Sequence, residues 1–215
     1  MCHYMTVAST SQRKPKGRYH HGDLREALIE AALAEVASNG PEAVSFSALA
    51  RQLEVSQAAP YRHFADRDML LAAAATRAFA DFNAHLQAVV ARRRKGSDLA
   101  RMADAYVAFG LRHTGTYRLM YASRHLADAP IDSPLHQAAE AGFLFFMSLL
   151  DVGEAGAERG EKRRARVAIK LLAGLHGVVM MAEQGLLPPR VQKVTMAELV
   201  DDLVRDAETA MEQTA

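Results

Sequence analysis

Between Ser45 and Phe64 the chain gathers side chains suited to hydrogen-bond chemistry at a nucleic-acid surface. Ser45, Ser47 and Ser56 supply hydroxyls, Gln57 an amide, Tyr61 a phenol, Arg62 a guanidinium and His63 an imidazole, while Ala58 is small enough to let the backbone approach a duplex. Donors of this kind read base edges and phosphates when a short, exposed helix presents them to the major groove from a rigid scaffold. The spacing suits that task. The run Ala48 to Leu53 puts Leu49 and Leu53 one turn apart, a tight turn follows around Leu53 to Ser56, and a second short helical stretch, N-capped by Ser56, runs to Phe64. Leu49, Leu53, Val55 and Phe64 form the packing set beneath. This is helix-turn-helix spacing, and double-stranded DNA is the expected partner.

Other chemistry finds little support. The nine histidines include no His-Glu-x-x-His pair, no glycine-rich phosphate loop is present, and no serine sits in a nucleophile elbow. No catalysis, metal centre or cofactor is therefore expected. The single cysteine, Cys2, excludes an intramolecular disulfide and fits a reducing compartment. Met1 to Gln12 carries neither a secretory signal nor an anchor, so the expected location is the cytoplasm. The formal net charge over 215 residues is only +1, so electrostatic arguments rest on where charges sit. The apolar stretch Val167 to Met181 contains His176 and two glycines and falls short of the roughly 20 residues a membrane span needs. It reads as a buried helix.

The elements that must position these groups follow from periodicity and capping. Residues 1–21 form a basic arm, with Arg13, Lys14, Lys16 and Arg18 and no acidic residue; it is either a solvated terminus or an arm along phosphates. A DNA-binding unit spans 22–66 and a helical regulatory and dimerisation unit 67–215. Asp23 can cap a first helix whose Leu28, Ile29, Ala32, Leu33 and Val36 share a face, ending at Asn39-Gly40-Pro41. Asp66 to Lys95 predicts one long helix, closed by the cationic tract Arg92 to Lys95 and Gly96. Further helices are predicted over Leu99 to His113, Thr116 to His125, Ser133 to Asp151, Glu158 to Gln184 and Thr195 to Met211. Turns fall at Gly115, Ala129-Pro130, Gly153 to Gly156 and Leu187 to Pro189. With no alternating strand pattern, the fold class is all-α: a three-helix helix-turn-helix unit followed by a helical body.

Val55-Ser56, Tyr61-Arg62-His63-Phe64, Arg67 and Leu70, together with Ala31-Ala32-Leu33, Gly40 and Leu49-Ala50, resemble the tetracycline-repressor-like (TetR/AcrR) family of transcriptional regulators. The resemblance covers about Leu24 to Leu71. It implies phosphate contacts for Tyr61 and His63, base or phosphate contacts for Gln57, Ala58 and Arg62, and a backbone anchor for Arg67. Two residues depart from the family pattern. Glu54 stands where glycine is usual, which asks a glutamate to take a left-handed conformation or the turn to differ slightly. Pro60 replaces an aliphatic residue, near the limit of where a helix start tolerates a missing N–H. Leu175-His176-Gly177 and Tyr117 to Tyr121 resemble a subgroup with a tryptophan-histidine-glycine signature, with leucine in place of tryptophan.

The resemblance also implies a homodimer and a cavity for a small-molecule effector whose identity is open. The predicted helix over Glu158 to Gln184 is apolar nearly all round, so it must be covered all round, either inside one subunit or by a second copy. Leu172, Leu175, Val179, Leu199 and Leu203 are the candidate dimer contacts. Gly174 and Gly177 suggest close helix approach there. Tyr106, Phe109, His113, Met120, Phe143, Phe146, Met147 and His176 are candidate cavity residues, each of which also reads as plain core. The expected activity is a repressor released from operator DNA by its effector; the rival is a helical adaptor that dimerises without binding DNA.

Overall fold

A computed structural model of the chain describes residues 24–92, 95–122, 124–150, 157–187 and 194–212. The basic arm, Asp23, Arg93, Arg94 and the turns predicted at 153–156 and 188–189 lie outside the described residues. Helix α1 (Leu24–Asn39) buries Leu28, Ala32 and Val36 and stops at Gly40, which takes a positive φ of 84° ahead of Pro41. Helix α2 (Phe46–Gln52) starts at Ser45, whose hydroxyl accepts the Ala48 N–H at 3.3 Å. Helix α3 (Arg67–Ala91) starts at Asp66, whose carboxylate accepts the Met69 N–H at 2.8 Å. It ends at Ala91, short of the predicted Lys95. Its first turns pack under α1 through Leu70, Leu71 and Ala74, and its later turns carry Phe79, Phe82 and Leu86 into the body.

The body continues with α4 (Asp98–Arg112), α5 (Thr114–Tyr117), a π turn over Arg118–Ala122, α6 (Arg124–Asp128), α7 (Pro134–Ser148), α8 (Ala157–Glu183) and α9 (Met196–Glu212). Local chemistry sets several starts: Ser97 caps α4, Ser133 caps α7 with Pro134 at its first position, and Thr195 and Glu198 form a reciprocal capping box at α9. In that box the hydrogen bonds from Thr195 hold the Glu198 carboxyl below its ordinary range.

Three expectations change. The single helix predicted over Thr116 to His125 is instead α5, a π turn and α6, with Leu119 and Met120, adjacent in sequence, both fully buried. Gly115 is no turn. It lies within α5, and a Cβ there would sit 2.2 Å from the carbonyl oxygen of Val36, so glycine permits the body to touch the end of α1. Nor is α8 covered all round by its own subunit. Val167, Ala168, Leu171, Leu175 and Val179 form one buried stripe, yet only 28% of its most apolar window is buried.

Candidate functional site

The reading surface rests on a buried base of Phe46, Leu49, Ala50, Pro60 and Phe64. Leu53 and Val55 are half-buried above it. At the turn, Glu54 has φ 55°, the one positive φ at a non-glycine among the described residues, so the left-handed position is filled by a glutamate. The chain reverses there through Val55 N–H donating to the Ala50 carbonyl at 2.9 Å.

The second helical stretch differs from expectation. No α-helix forms between Leu53 and Asp66; turns at 57–58 lead into a single 3₁₀ turn, Pro60–Arg62. Pro60 has no N–H to give to Ser56 in an α-helix, and the Ser56 carbonyl instead accepts from Ala59 at 2.9 Å. His63 and Phe64 then both donate to the Pro60 carbonyl at 3.0 Å. The 3₁₀ turn begins from Ala59 with no side-chain cap, so Ser56 contributes its backbone there rather than the predicted hydroxyl cap.

This compact segment leaves Ser56, Gln57, Ala58, Tyr61 and Arg62 exposed and His63 half-buried. Tyr61 is 63% exposed, while the edge of its ring is braced on Phe46 at 4.8 Å between centroids. Ser45 and Ser47 stand at the start of α2 with hydroxyls 3.5 Å apart. Arg67 is engaged elsewhere: Nε donates to the Val44 carbonyl at 2.8 Å and Nη2 to that of Pro41, tying α3 to the loop before α2. Arg25 lies over the Phe64 ring at 5.2 Å. The bracing roles of Phe46 and Arg25 escape a sequence reading because each partner is distant in the chain.

In the body, a cavity of about 430 Å³ opens between α3 and α7. Phe79, Phe82, Asn83, Tyr121, His136 and Phe143 are among its walls, with Phe146 and Leu172. Of the predicted cavity residues only Phe143 and Phe146 line it. Tyr106 and Met120 are fully buried core, Phe109 and Met147 are half-buried outside the lining, and His113 is exposed at the end of α4.

His176 belongs to a separate polar chain, in which the Tyr117 hydroxyl bridges the Tyr106 hydroxyl at 2.9 Å and His176 Nδ1 at 2.7 Å. Burial pushes the Tyr106 and Tyr117 phenols up, pushes Tyr121 up to about 12, and pushes the His176 imidazole down. All three phenols are neutral at physiological pH and serve as hydrogen-bonding groups.

Asn83 and His136 escaped the sequence reading. Asn83 had a usable signal, as a polar residue within the buried stripe Phe79, Phe82 and Leu86; His136 had none. A larger groove of about 800 Å³ runs between α1, the early turns of α3 and the start of α7. Its carboxylates are engaged by neighbours, Glu26 by Arg77, Asp128 by Arg124 at 3.2 Å, Asp68 by Arg67 at 3.6 Å and Asp66 at the α3 cap.

On α8, Leu175 and Val179 are fully buried within the subunit and cannot face a second copy, which corrects two predicted dimer contacts. Leu172, Leu199 and Leu203 are half-buried. The uncovered side instead shows Ile169, 57% exposed, and Met181, 42% exposed. Gly174 fits under Leu203, where a Cβ would lie 2.5 Å from Cδ2, whereas Gly177 has open space.

Residues 28–74 match the bacterial regulatory proteins of the tetR family, and residues 99–207 match the tetracyclin repressor-like C-terminal domain. The chain belongs to the tetracycline-repressor-like family. It is a DNA-binding transcriptional regulator of all-α architecture, and regulators of this family are non-enzymatic. The regulator is similar to a solved Rhodococcus sp. RHA1 protein of unknown function, at 29% identity and TM-score 0.71 over 92% of this chain and 100% of that one. It shares the fold of a tetR-family transcriptional regulator from Streptomyces coelicolor, at 23% identity and TM-score 0.62 over 88% and 80% of the two chains. No match was found among curated proteins.

Proposed function

We propose that this regulator is a cytoplasmic repressor that binds a two-fold-symmetric operator as a homodimer and leaves it when a small molecule fills the α3–α7 cavity. The observation that carries the reading is the surface from Ser45 to His63. Exposed Gln57, Tyr61 and Arg62 project from a base formed by the buried Leu49, Pro60 and Phe64. Tyr61 and His63 serve phosphates; Gln57, Ala58 and Arg62 meet base edges or nearby phosphates, with Ser45, Ser47 and Ser56 at the margin. Arg67 adds a partly exposed cation, 39% by side chain, beside this face while buttressing the loop. The uncovered side of α8 favours a second copy, because an apolar helix left largely open in one subunit is closed most simply by its own two-fold image.

Coupling has a physical route. The cavity is walled by α3, whose first turns carry the reading head, and Arg118 links Glu42 of the head at 3.2 Å to Glu183 of α8 at 3.9 Å. Repression follows from occupying a promoter. The test is selection of bound duplexes from a randomised library by the purified protein at two salt concentrations. Enrichment of an inverted repeat, with affinity falling as salt rises, is expected. Recovery of no motif at either salt overturns the reading in favour of a helical adaptor.

A further inference from the structure

The cations of the head differ in what already holds them. Arg67 spends Nε on the Val44 carbonyl at 2.8 Å and Nη2 on that of Pro41, and its Nη1 lies 3.6 Å from Asp68. Arg77 of α3 pairs with Glu26 of α1 and, at 3.3 Å, with Asp81. Arg25 is different. It is exposed in the first turn of α1, and no carboxylate among the described residues lies within ion-pair distance of it. Asp66 and Asp68 share the groove that Arg25 lines, but Asp66 accepts the Met69 N–H and Asp68 faces Arg67.

What holds Arg25 is an aromatic ring. Its guanidinium carbon lies over Phe64, 5.2 Å from the centroid, and Phe64 is only 5% exposed, a fixed part of the base under the reading surface. His63, the residue before Phe64, is the imidazole assigned above to a phosphate, and Arg25, His63 and Phe64 line one groove. Helix α1 therefore brings a cation to the end of the recognition segment. None of the described residues accepts a hydrogen bond from Arg25, so its N–H donors stay available for the two-point grip on a phosphate that arginine favours. Seating the side chain on a ring also removes part of the rotamer freedom that a loose arginine would lose on binding.

We infer that Arg25 is a further operator contact, a clamp on a backbone phosphate beside the one that His63 meets, held ready by its seat on Phe64. This rests on the operator reading above. Arg67, with donors committed to two carbonyls, leaves most of the anchoring at this edge to Arg25. Phosphate oxygens carry no sequence, so the contact adds affinity at every duplex alike.

The test is fluorescence-anisotropy titration of the full-length protein, Arg25→Met and Arg25→Lys against the selected operator and a random duplex over a series of salt concentrations, with urea melts of each protein. Arg25→Met keeps an unbranched stem on Phe64 and removes the charge. It is expected to weaken binding to both duplexes about tenfold and to reduce the slope of log affinity against log salt by about 0.9, with the urea midpoint unchanged. Arg25→Lys should keep the slope and recover part of the affinity. Unchanged affinity and slope in Arg25→Met would overturn the inference and leave the operator reading intact. A lowered urea midpoint at unchanged slope would assign Arg25 to packing on Phe64 alone, and a loss confined to the operator at unchanged slope would replace the phosphate by a base; either overturns the clamp. An unaltered protein that binds neither duplex at any salt would overturn the operator reading and this contact with it.

Discussion

In the head, α1, α2 and the first turns of α3 bury their apolar side chains on one another and turn polar groups outward; in the body, α8 buries one stripe and leaves Ile169 and Met181 uncovered. The head's helix starts are set by groups a few residues away, such as Ser45 and Asp66. The body's cavity and polar chain join residues far apart, as in Tyr117 with His176 and Asn83 with Ala138. One region is complete as a single copy and offers hydrogen bonds outward. The other leaves part of an apolar helix uncovered and holds a hollow between α3 and α7. That division suits a regulator: one surface presents donors to DNA, and a body with spare apolar area and a cavity has alternative packings to choose between.

The contrast depends on the two regions being joined, and Gly115→Ala should break the joint. Its Cβ would meet the Val36 carbonyl, a backbone atom that cannot swing aside. The expected loss is about 1–3 kcal/mol by denaturant unfolding, as for overpacked sites. Unchanged stability would mean that α5 and α1 are not in close contact. Tyr61→Ala probes the head alone. Because the side chain is 63% exposed, stability should hold, while operator affinity falls about tenfold to a hundredfold at every operator. Unchanged affinity and salt slope would remove Tyr61 from the interface.

Tyr117→Phe probes the body alone, deleting the hydroxyl between Tyr106 and His176 at an expected cost of about 1 kcal/mol. The same network sets an acid response. Burial holds the His176 pKa below its ordinary 6.5, so between those values the unfolded chain binds more protons than the folded one, and stability falls as pH drops through that window. His176→Gln should flatten this contribution in urea melts between about pH 7 and about pH 5; an unaltered slope would show that another group titrates.

The smallest effect is expected from Gly177→Ala. With open space around it in one subunit, alanine should stabilise the α8 helix by about 0.5–1 kcal/mol. Sedimentation then reports whether a second copy occupies that space, since a weakened dimer places Gly177 in the interface and an unchanged one places it outside.

Much of the head was legible because its signals are local. The Asn39-Gly40-Pro41 stop, the Asp66 start and the Val55 to Phe64 pattern act within a turn or two of where they are written, whereas α2 begins at Phe46, two residues before the run read from Ala48. Glu54 at the turn left open a left-handed residue or an altered turn, and its φ of 55° decides for the first. Pro60 was visible too, yet whether it began an α-helix or forced a 3₁₀ turn depended on where the Ser56 carbonyl found its donor. In the body, apolar periodicity identified the helices but not their partners. It could not separate Tyr106 and Met120 in the core from Phe143 at the cavity, nor Leu175 inside the subunit from Ile169 outside it.

By itself, then, the sequence determined an all-α chain with a helix-turn-helix head of the tetracycline-repressor-like family, because helix propensity, capping and turn residues exert their energy over a few neighbouring residues. Only the tertiary structure decided that Asn83 and His136 share one cavity wall, that Gly115 rests on Val36, and which flank of α8 stays open. Those outcomes depend on which helix faces pack together across long stretches of chain, and a periodic pattern records that a face is apolar without recording what covers it.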